Sequence, residues 1–470
     1  MLAELVKVPS KLDCLKRPDV LALETLEFSL FHLIALLILT CAVIHTLFVH
    51  RVRDLAKHIE TKQASKRRNS RFPRSFLVQM LYFLAEVEVV FAFWAFPLFI
   101  LMTIYFGSSV ALEYINTRDY SEALFVVIIL SIASTKPVIQ FSEAIIHRIA
   151  QRFGGSLSSW WFTLLTAGPI LGSFITEAGA MAICAYLLSR QFYHYRPSSK
   201  LAYATLALLF TNISVGGALT HFASPPVLIL SHAWHWSNWQ IFTLFGWKAI
   251  IGIVLSNSLY WFYFRKEFLT LDKRKNRKDA SYIPPKEEAV SVPHWITFVH
   301  LLFMLLIVLT SNYPAIFIAA YLFFVGFHQS TRHHQDSLKL ARPLLVGLFL
   351  AGLVIHGGLQ GWWVVYLLQD LSPIQVLGAT IGLAGFNDNT AIAYLATLMP
   401  DWNDAYKYAL TVGAIAGGGL TVIANAPNPA GFVILSEHFR YRISSWNLFI
   451  AAVIPAIILY GVFTLFGPLL

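Results

Sequence analysis

Long apolar runs, separated by short polar stretches, govern this chain. Segments such as FSLFHLIALLILTCAVIHTLFV (28–49) and WNLFIAAVIPAIILYGVFTLFG (446–467) are each long enough to cross a bilayer as a helix, which takes about 20 residues. The alternating ten-residue segments of a membrane barrel are absent. The pattern predicts spans over 28–49, 76–106, 122–141, 239–264, 295–310, 314–328, 343–369 and 446–466. It also predicts two helical hairpins that enter and return on one side, at about 159–189 and 374–399, and two helices broken mid-span, at about 201–233 and 405–437.

Composition agrees with this reading. Of 470 residues, 57% are hydrophobic and 13% charged, whereas soluble domains carry about a quarter charged residues. The fold class is therefore an all-α polytopic membrane protein. A net charge of +10 would suit nucleic acid, but its placement argues otherwise: nine Lys/Arg fall in 51–74 and seven in 265–278. The positive-inside rule puts the loop 51–74 and the linker 265–294 in the cytoplasm. Only Arg118 then lies in an outer loop, with Lys407 at an outer helix start. The partner this placement implies is membrane lipid, not nucleic acid. Residues 1–27 are mixed and charged, and read as an N-terminal segment with no cleavable signal. Cys14, Cys41 and Cys184 are scattered and suggest neither a disulfide framework nor a metal site.

The chain repeats itself. GGALTHFASPP (216–226) and GGGLTVIANAP (417–427) agree at six of eleven positions. Upstream of each, EAGAMAICAYLL (177–188) and DNTAIAYLATLM (388–399) align Glu177 with Asp388. The charge-derived topology gives 28–264 and 295–470 opposite orientations. Inverted repeats with paired helix interruptions are the signature of secondary transporters, whose sites lie near the midplane. The glycines and prolines of both motifs forbid a regular helix, and irregular backbone at membrane depth persists only when buried in protein or lining a cavity. Thr220, Ser224, Thr421, Asn425 and Asn428 then offer hard oxygen ligands.

Acids at such depth are costly and mark function by default. Asp388, in GFNDNT (385–390), is one, and an N-cap on the following helix is a compatible alternative role. Glu86 and Glu88 sit early in the second span, on different faces, and are possible proton-relay residues. His221 falls inside the first broken motif and is a possible proton relay, although an ordinary hydrogen-bonded histidine fits as well, there and at His356. His328, His333 and His334 lie near a charged turn and read as a solvated face rather than a transition-metal site.

The element NISVGGALTHFASPP (212–226) and its second-half copy resemble the ion-transporter superfamily of arsenite-permease-like proteins, divalent-anion/sodium symporters and NhaB- and NhaD-type antiporters. LLVGLFLAGLVIHGGLQGWW (344–363) resembles the helix before that group's second hairpin, and AEVEVVFAFWAFPLF (85–99) its first-half counterpart. The whole length is most similar to a bacterial family of sodium/proton antiporters. The resemblance implies a scaffold domain and a moving transport domain holding two re-entrant hairpins and two unwound helices, in a homodimer working by an elevator-like shift, in the bacterial inner membrane. In the superfamily's carboxylate transporters the hairpin tips carry Ser-Asn-Thr. Here the second tip reads Asp388-Asn389-Thr390 and the first Thr176-Glu177-Ala178-Gly179, each with an added acid, which favours a cation.

A carboxylate holds a sodium ion or a proton but not both, so competition for it couples two fluxes. The expectation is exchange of a monovalent cation, Na+ foremost, for protons. Asp388 is the principal carrier, Asn387, Asn389 and Thr390 are its neighbours, and Glu177 with Thr176 is its counterpart. Asn212, Gly216, Gly217, Thr220 and Ser224, with Gly418, Thr421, Asn425 and Asn428, complete the site at the hairpin tips. The alternative is a Na+- or H+-coupled carboxylate or oxyanion carrier. An intramembrane enzyme fits less well: neither Gly-x-Gly-Asp, His-Glu-x-x-His nor a phosphate-binding Gly-x-x-x-x-Gly-Lys-Ser/Thr element occurs. No cofactor is expected beyond the transported ions.

Overall fold

A computed structural model describes residues 30–66, 75–279, 292–368, 370–399, 402–439 and 443–468, which form helices and turns with no strand among them. In chain order the first helices are α1 (Leu30–Lys66), α2 (Phe76–Leu84), α3 (Val87–Phe106), α4 (Ser108–Asn116), α5 (Ser121–Ala133) and α6 (Lys136–Arg152). Next come α7 (Leu157–Ile175), α8 (Glu177–Gln191), α9 (Ser199–Gly216), α10 (Pro225–Ala233), α11 (Asn238–Ile241) and α12 (Trp247–Asp279). The remainder are α13 (His294–Leu309), α14 (Pro314–Ser330), α15 (Ala341–Gly357), α16 (Gly361–Leu368), α17 (Pro373–Phe386), α18 (Asn389–Ala396), α19 (Asp404–Gly417), α20 (Asn428–Ser436) and α21 (Ser445–Leu465). Among the described residues, four helical stretches are long and apolar enough to cross a membrane, or six if each of two bent pairs counts as one.

The interruptions fall where glycine and proline put them. α9 stops at Gly216 and α10 starts at Pro225, and likewise α19 stops at Gly417 and α20 starts at Asn428, just before Pro429. Other boundaries differ from expectation. The 51–74 segment is no loop over 51–66, where α1 continues, and 265–279 continues α12; residues 67–74, 280–291 and the N-terminal 1–27 lie outside the described residues. The 76–106 span is two helices, because α1 supplies donors for the carbonyls that a break exposes. His45 Nε2 lies 3.0 Å from the Leu84 carbonyl, and Arg53 donates to Ala85 O at 2.9 Å and to the Glu86 carboxylate at 3.3 Å.

Two compact units emerge. One lies within Met1–Leu124, Leu344–Asp370 and Tyr394–Pro400, with a core of Phe31, Ala35, Leu98, Met102, Tyr114 and Leu359. The other lies within Phe125–Pro343, Leu371–Ala393 and Asp401–Leu470. Its centre is α9, whose apolar window is 94% buried, against 28% for the window that contains α3. A helix apolar all round belongs in the interior, and Val215, Leu219, Phe245, Val412 and Phe463 gather in the core about its C-terminal end.

The tightest helix pair of this second unit, α17 on α19, is set by Gly413 and Gly417. A Cβ at Gly413 would lie 2.5 Å from Thr380 Cβ, and one at Gly417 would lie 2.7 Å from the Ile381 carbonyl. Small residues one turn apart let membrane helices approach this closely. Gly413→Ala is expected to destabilise the protein by about 1–3 kcal/mol through overpacking. Gly461→Ala, which meets nothing within 4 Å, is expected to be neutral or slightly stabilising. Thermal unfolding in detergent checks both; equal midpoints for the two variants would contradict the packing.

Candidate cation site

Each helix tip is built by a break that the backbone cannot satisfy locally. α7 ends at Ile175 and α8 begins at Glu177, leaving Thr176 to turn the chain at φ 71°, ψ 154°. A β-branched residue rarely takes positive φ, and such strain costs about 1–3 kcal/mol and clusters at functional sites. α7 and α8 pack along one another, so the turn sets Glu177 at the head of α8. The second tip turns at Asn387 and Asp388. Asp388 Oδ1 accepts from the Thr390 amide at 2.8 Å, and Asn387 Oδ1 accepts from the Asp388 amide at 2.9 Å. Asp388 therefore does cap the following helix.

The tips dock on the broken helices by contacts that recur in both halves. Glu177 N donates to Ala223 O at 3.2 Å, and Asn389 N to Ala424 O at 3.0 Å. Thr220 Oγ1 donates to Ser173 O, and Thr421 Oγ1 to Gly385 O, both at 2.7 Å. A Cβ on Gly217 would lie 2.4 Å from Glu177 Oε1, and one on Gly418 would lie 2.5 Å from Asn389 Nδ2. Residues 169, 173 and 177 thus map onto 381, 385 and 389. This pairs Glu177 with Asn389 and Thr176 with Asp388, one residue away from the sequence alignment of Glu177 with Asp388. The register follows from helix geometry: the first helical residue offers its amide to the broken stretch, and the residue before it caps.

Glu177 is 1% exposed and Asp388 is 4% exposed, and the two acids lie within electrostatic reach of one another. Glu177 Oε2 accepts from Asn425 Nδ2 at 2.9 Å. The Ser224 hydroxyl stands beside the same carboxylate, short of hydrogen-bond geometry. Asn428 Nδ2 donates to Gly418 O and Thr421 O, both at 2.8 Å, and Asn389 Nδ2 to Ala414 O at 3.3 Å. Backbone carbonyls, which only accept, fix the amide orientations of Asn428 and Asn389, and the ionised Glu177 carboxylate fixes that of Asn425. Four buried oxygens consequently meet no donor among the described residues: Glu177 Oε1, Asn389 Oδ1, Asn425 Oδ1 and Asn428 Oδ1. A buried acceptor without a donor is expensive, and a cation is what such oxygens accommodate.

Other expected residues are engaged elsewhere. Asn212 ties α9 to Leu165 O and Asn257, both at 2.9 Å, and Gly216 lets α9 approach the Pro169 carbonyl. The His221 ring bonds Asn238 Oδ1 at 2.7 Å. Glu86 and Glu88 belong to the other unit, where Glu86 pairs with Arg53. His356 is buried there against the Phe91 carbonyl. The loop histidines do not share one face: His333 is exposed, but His328 is buried, correcting their reading as a single solvated cluster. Lys248 escaped the sequence analysis; it is buried beside Tyr408, 3.1 Å from its hydroxyl, and its place in an otherwise apolar run was the available signal.

The sequence model of a family described as "Putative Na+/H+ antiporter" matches residues 30–466. The chain belongs to that family. Comparison with curated proteins finds no match. Family membership and the apolar helices together indicate a multi-pass membrane transporter rather than an enzyme.

In this antiporter-family protein the Asn425 amide donates to the buried Glu177 carboxylate. Hydrogen bonds to charged groups are worth about 1.5–3 kcal/mol. Asn425→Ala is therefore expected to lower stability by that order, and the loss should shrink once Glu177→Gln has removed the charge. A double-mutant cycle on thermal stability reads the coupling, and strict additivity would show that the two side chains do not interact.

Proposed function

We propose that this protein exchanges a monovalent cation, Na+ foremost, for protons, with Glu177 and Asp388 as the shared carriers. The observation that carries the reading is the contiguous set of buried, donor-free oxygens around two buried acids at the helix tips. Hard oxygen donors suit alkali cations, and a carboxylate among them lets a proton replace the ion. Asp388 spends one oxygen on capping Thr390, whereas Glu177 Oε1 has no donor; this favours Glu177 as the more direct ligand and Asp388 as the acid that shares its charge. Asn389, Thr390, Asn425 and Asn428 complete the shell, and Thr176, Thr220 and Thr421 hold the tips in place.

The recurring tip contacts support two inverted repeats with re-entrant hairpins and broken helices at equivalent places. The acids and their amides all fall in one compact unit, which suits an elevator-type shift of the whole site, and the superfamily resemblance adds a homodimer. Protonation discharges the cation-free carrier for its return.

Everted vesicles or proteoliposomes holding a pH gradient test the proposal on addition of Na+, Li+ or K+. Cation-dependent proton movement is expected, falling to background with Glu177→Gln or Asp388→Asn. Because protons compete for the same carboxylates, the apparent KM for the cation should fall as pH rises. No response to any cation from folded protein would overturn antiport and direct attention to anions at the same tips. A pH-independent KM would overturn direct competition.

A further inference from the structure

A second cluster of donor-free atoms lies in the same unit, away from the acids. His300 in α13, His328 near the end of α14 and Gln335 in the following turn are all more than nine-tenths buried. Their protons can be assigned. The His300 Nδ1 faces the Ile296 carbonyl at 2.8 Å, and His328 Nε2 faces the Asp336 carbonyl at 3.0 Å. A carbonyl only accepts, so each of those nitrogens carries the hydrogen and the opposite nitrogen of each neutral ring holds a lone pair. Thr331 donates its hydroxyl proton to Phe327 O and accepts from Gln335 Nε2 at 2.7 Å, which turns the Gln335 oxygen the other way.

Three lone pairs result, on His300 Nε2, His328 Nδ1 and Gln335 Oε1, and none meets a donor among the described residues. The Gln335 amide lies beside both rings, whose centroids are 6.1 Å apart. Metal–nitrogen bonds are about 2.0–2.1 Å, so two rings sharing one ion have centroids about 5–6 Å apart, and 6.1 Å requires little adjustment. A water molecule has two protons and would leave one lone pair unmet; a cation meets all three. Imidazole nitrogens select zinc-like ions over alkali cations. Each ring also donates its other N–H to a backbone carbonyl, as metal-binding histidines do. A cavity of about 520 Å³ lined by His328, Gln335 and the exposed Arg332 and His333 offers a way in.

We propose that His300, His328 and Gln335 form a site for a divalent transition-metal ion of the zinc class, with water completing its coordination. No group of three His, Cys, Asp or Glu gathers among the described residues; the third ligand here is an amide oxygen. A bound ion would pin the turn after α14 to α13.

The test is calorimetric titration of the untagged, full-length, metal-stripped protein with Zn2+ in detergent. Saturable binding of one equivalent is expected, weakened at least about tenfold by His300→Phe and unchanged by His333→Ala with His334→Ala. Gln335→Glu, which trades the amide oxygen for a carboxylate, is expected to tighten binding by about tenfold, since affinity at a cation site rises with the ligand charge count. Absence of one-equivalent binding, or affinity unchanged in folded His300→Phe, overturns the site. If His300→Phe does not fold, Gln335→Glu decides alone, and unchanged affinity there overturns it.

Discussion

A backbone broken inside a membrane has no water to turn to, and the rest of this site depends on how the chain answers that. Gly-Gly and Pro open α9–α10 and α19–α20 at equivalent places, exposing carbonyls and amides that must find partners within the protein. The chain supplies them from the helix tips: Glu177 N to Ala223 O and Asn389 N to Ala424 O, reinforced by Thr220 and Thr421 on the opposing carbonyls. Those backbone contacts, rather than side-chain attraction, place the acids. Glu177 is held over Gly217 because its own amide is already committed one bond away.

The same logic separates the two acids. Both sit at tips, but one precedes its helix and the other begins it. Asp388 behaves as a cap, with an oxygen on Thr390 N, while the capping position of the first tip is taken by Thr176, so Glu177 is released to face Asn425 of the second half. The pair is chemically alike yet structurally unequal.

Much of this was legible in the sequence because glycine and proline act locally. The ends of α9 and α19 and the tips near 176 and 388 follow from backbone chemistry that a few residues announce. What escaped depends on distant partners. The break between α2 and α3 shows only once Arg53 and His45 are known to reach its carbonyls. The one-residue register error arose because matching acid to acid is sensible in a string, whereas the structure matches amide to carbonyl. His328 looked solvated beside Arg332 and His333, yet the α14 helix ends later than its charges suggest and carries that ring inward.

The bond between Asn425 and Glu177 joins the two halves of the chain at their most charged point. A polypeptide severed between α12 and α13 would yield a first fragment whose buried acid lacks the Asn425 amide, and a second whose amide has lost its acid. Reassembly of such fragments would cover that carboxylate again, together with the apolar core that both halves build.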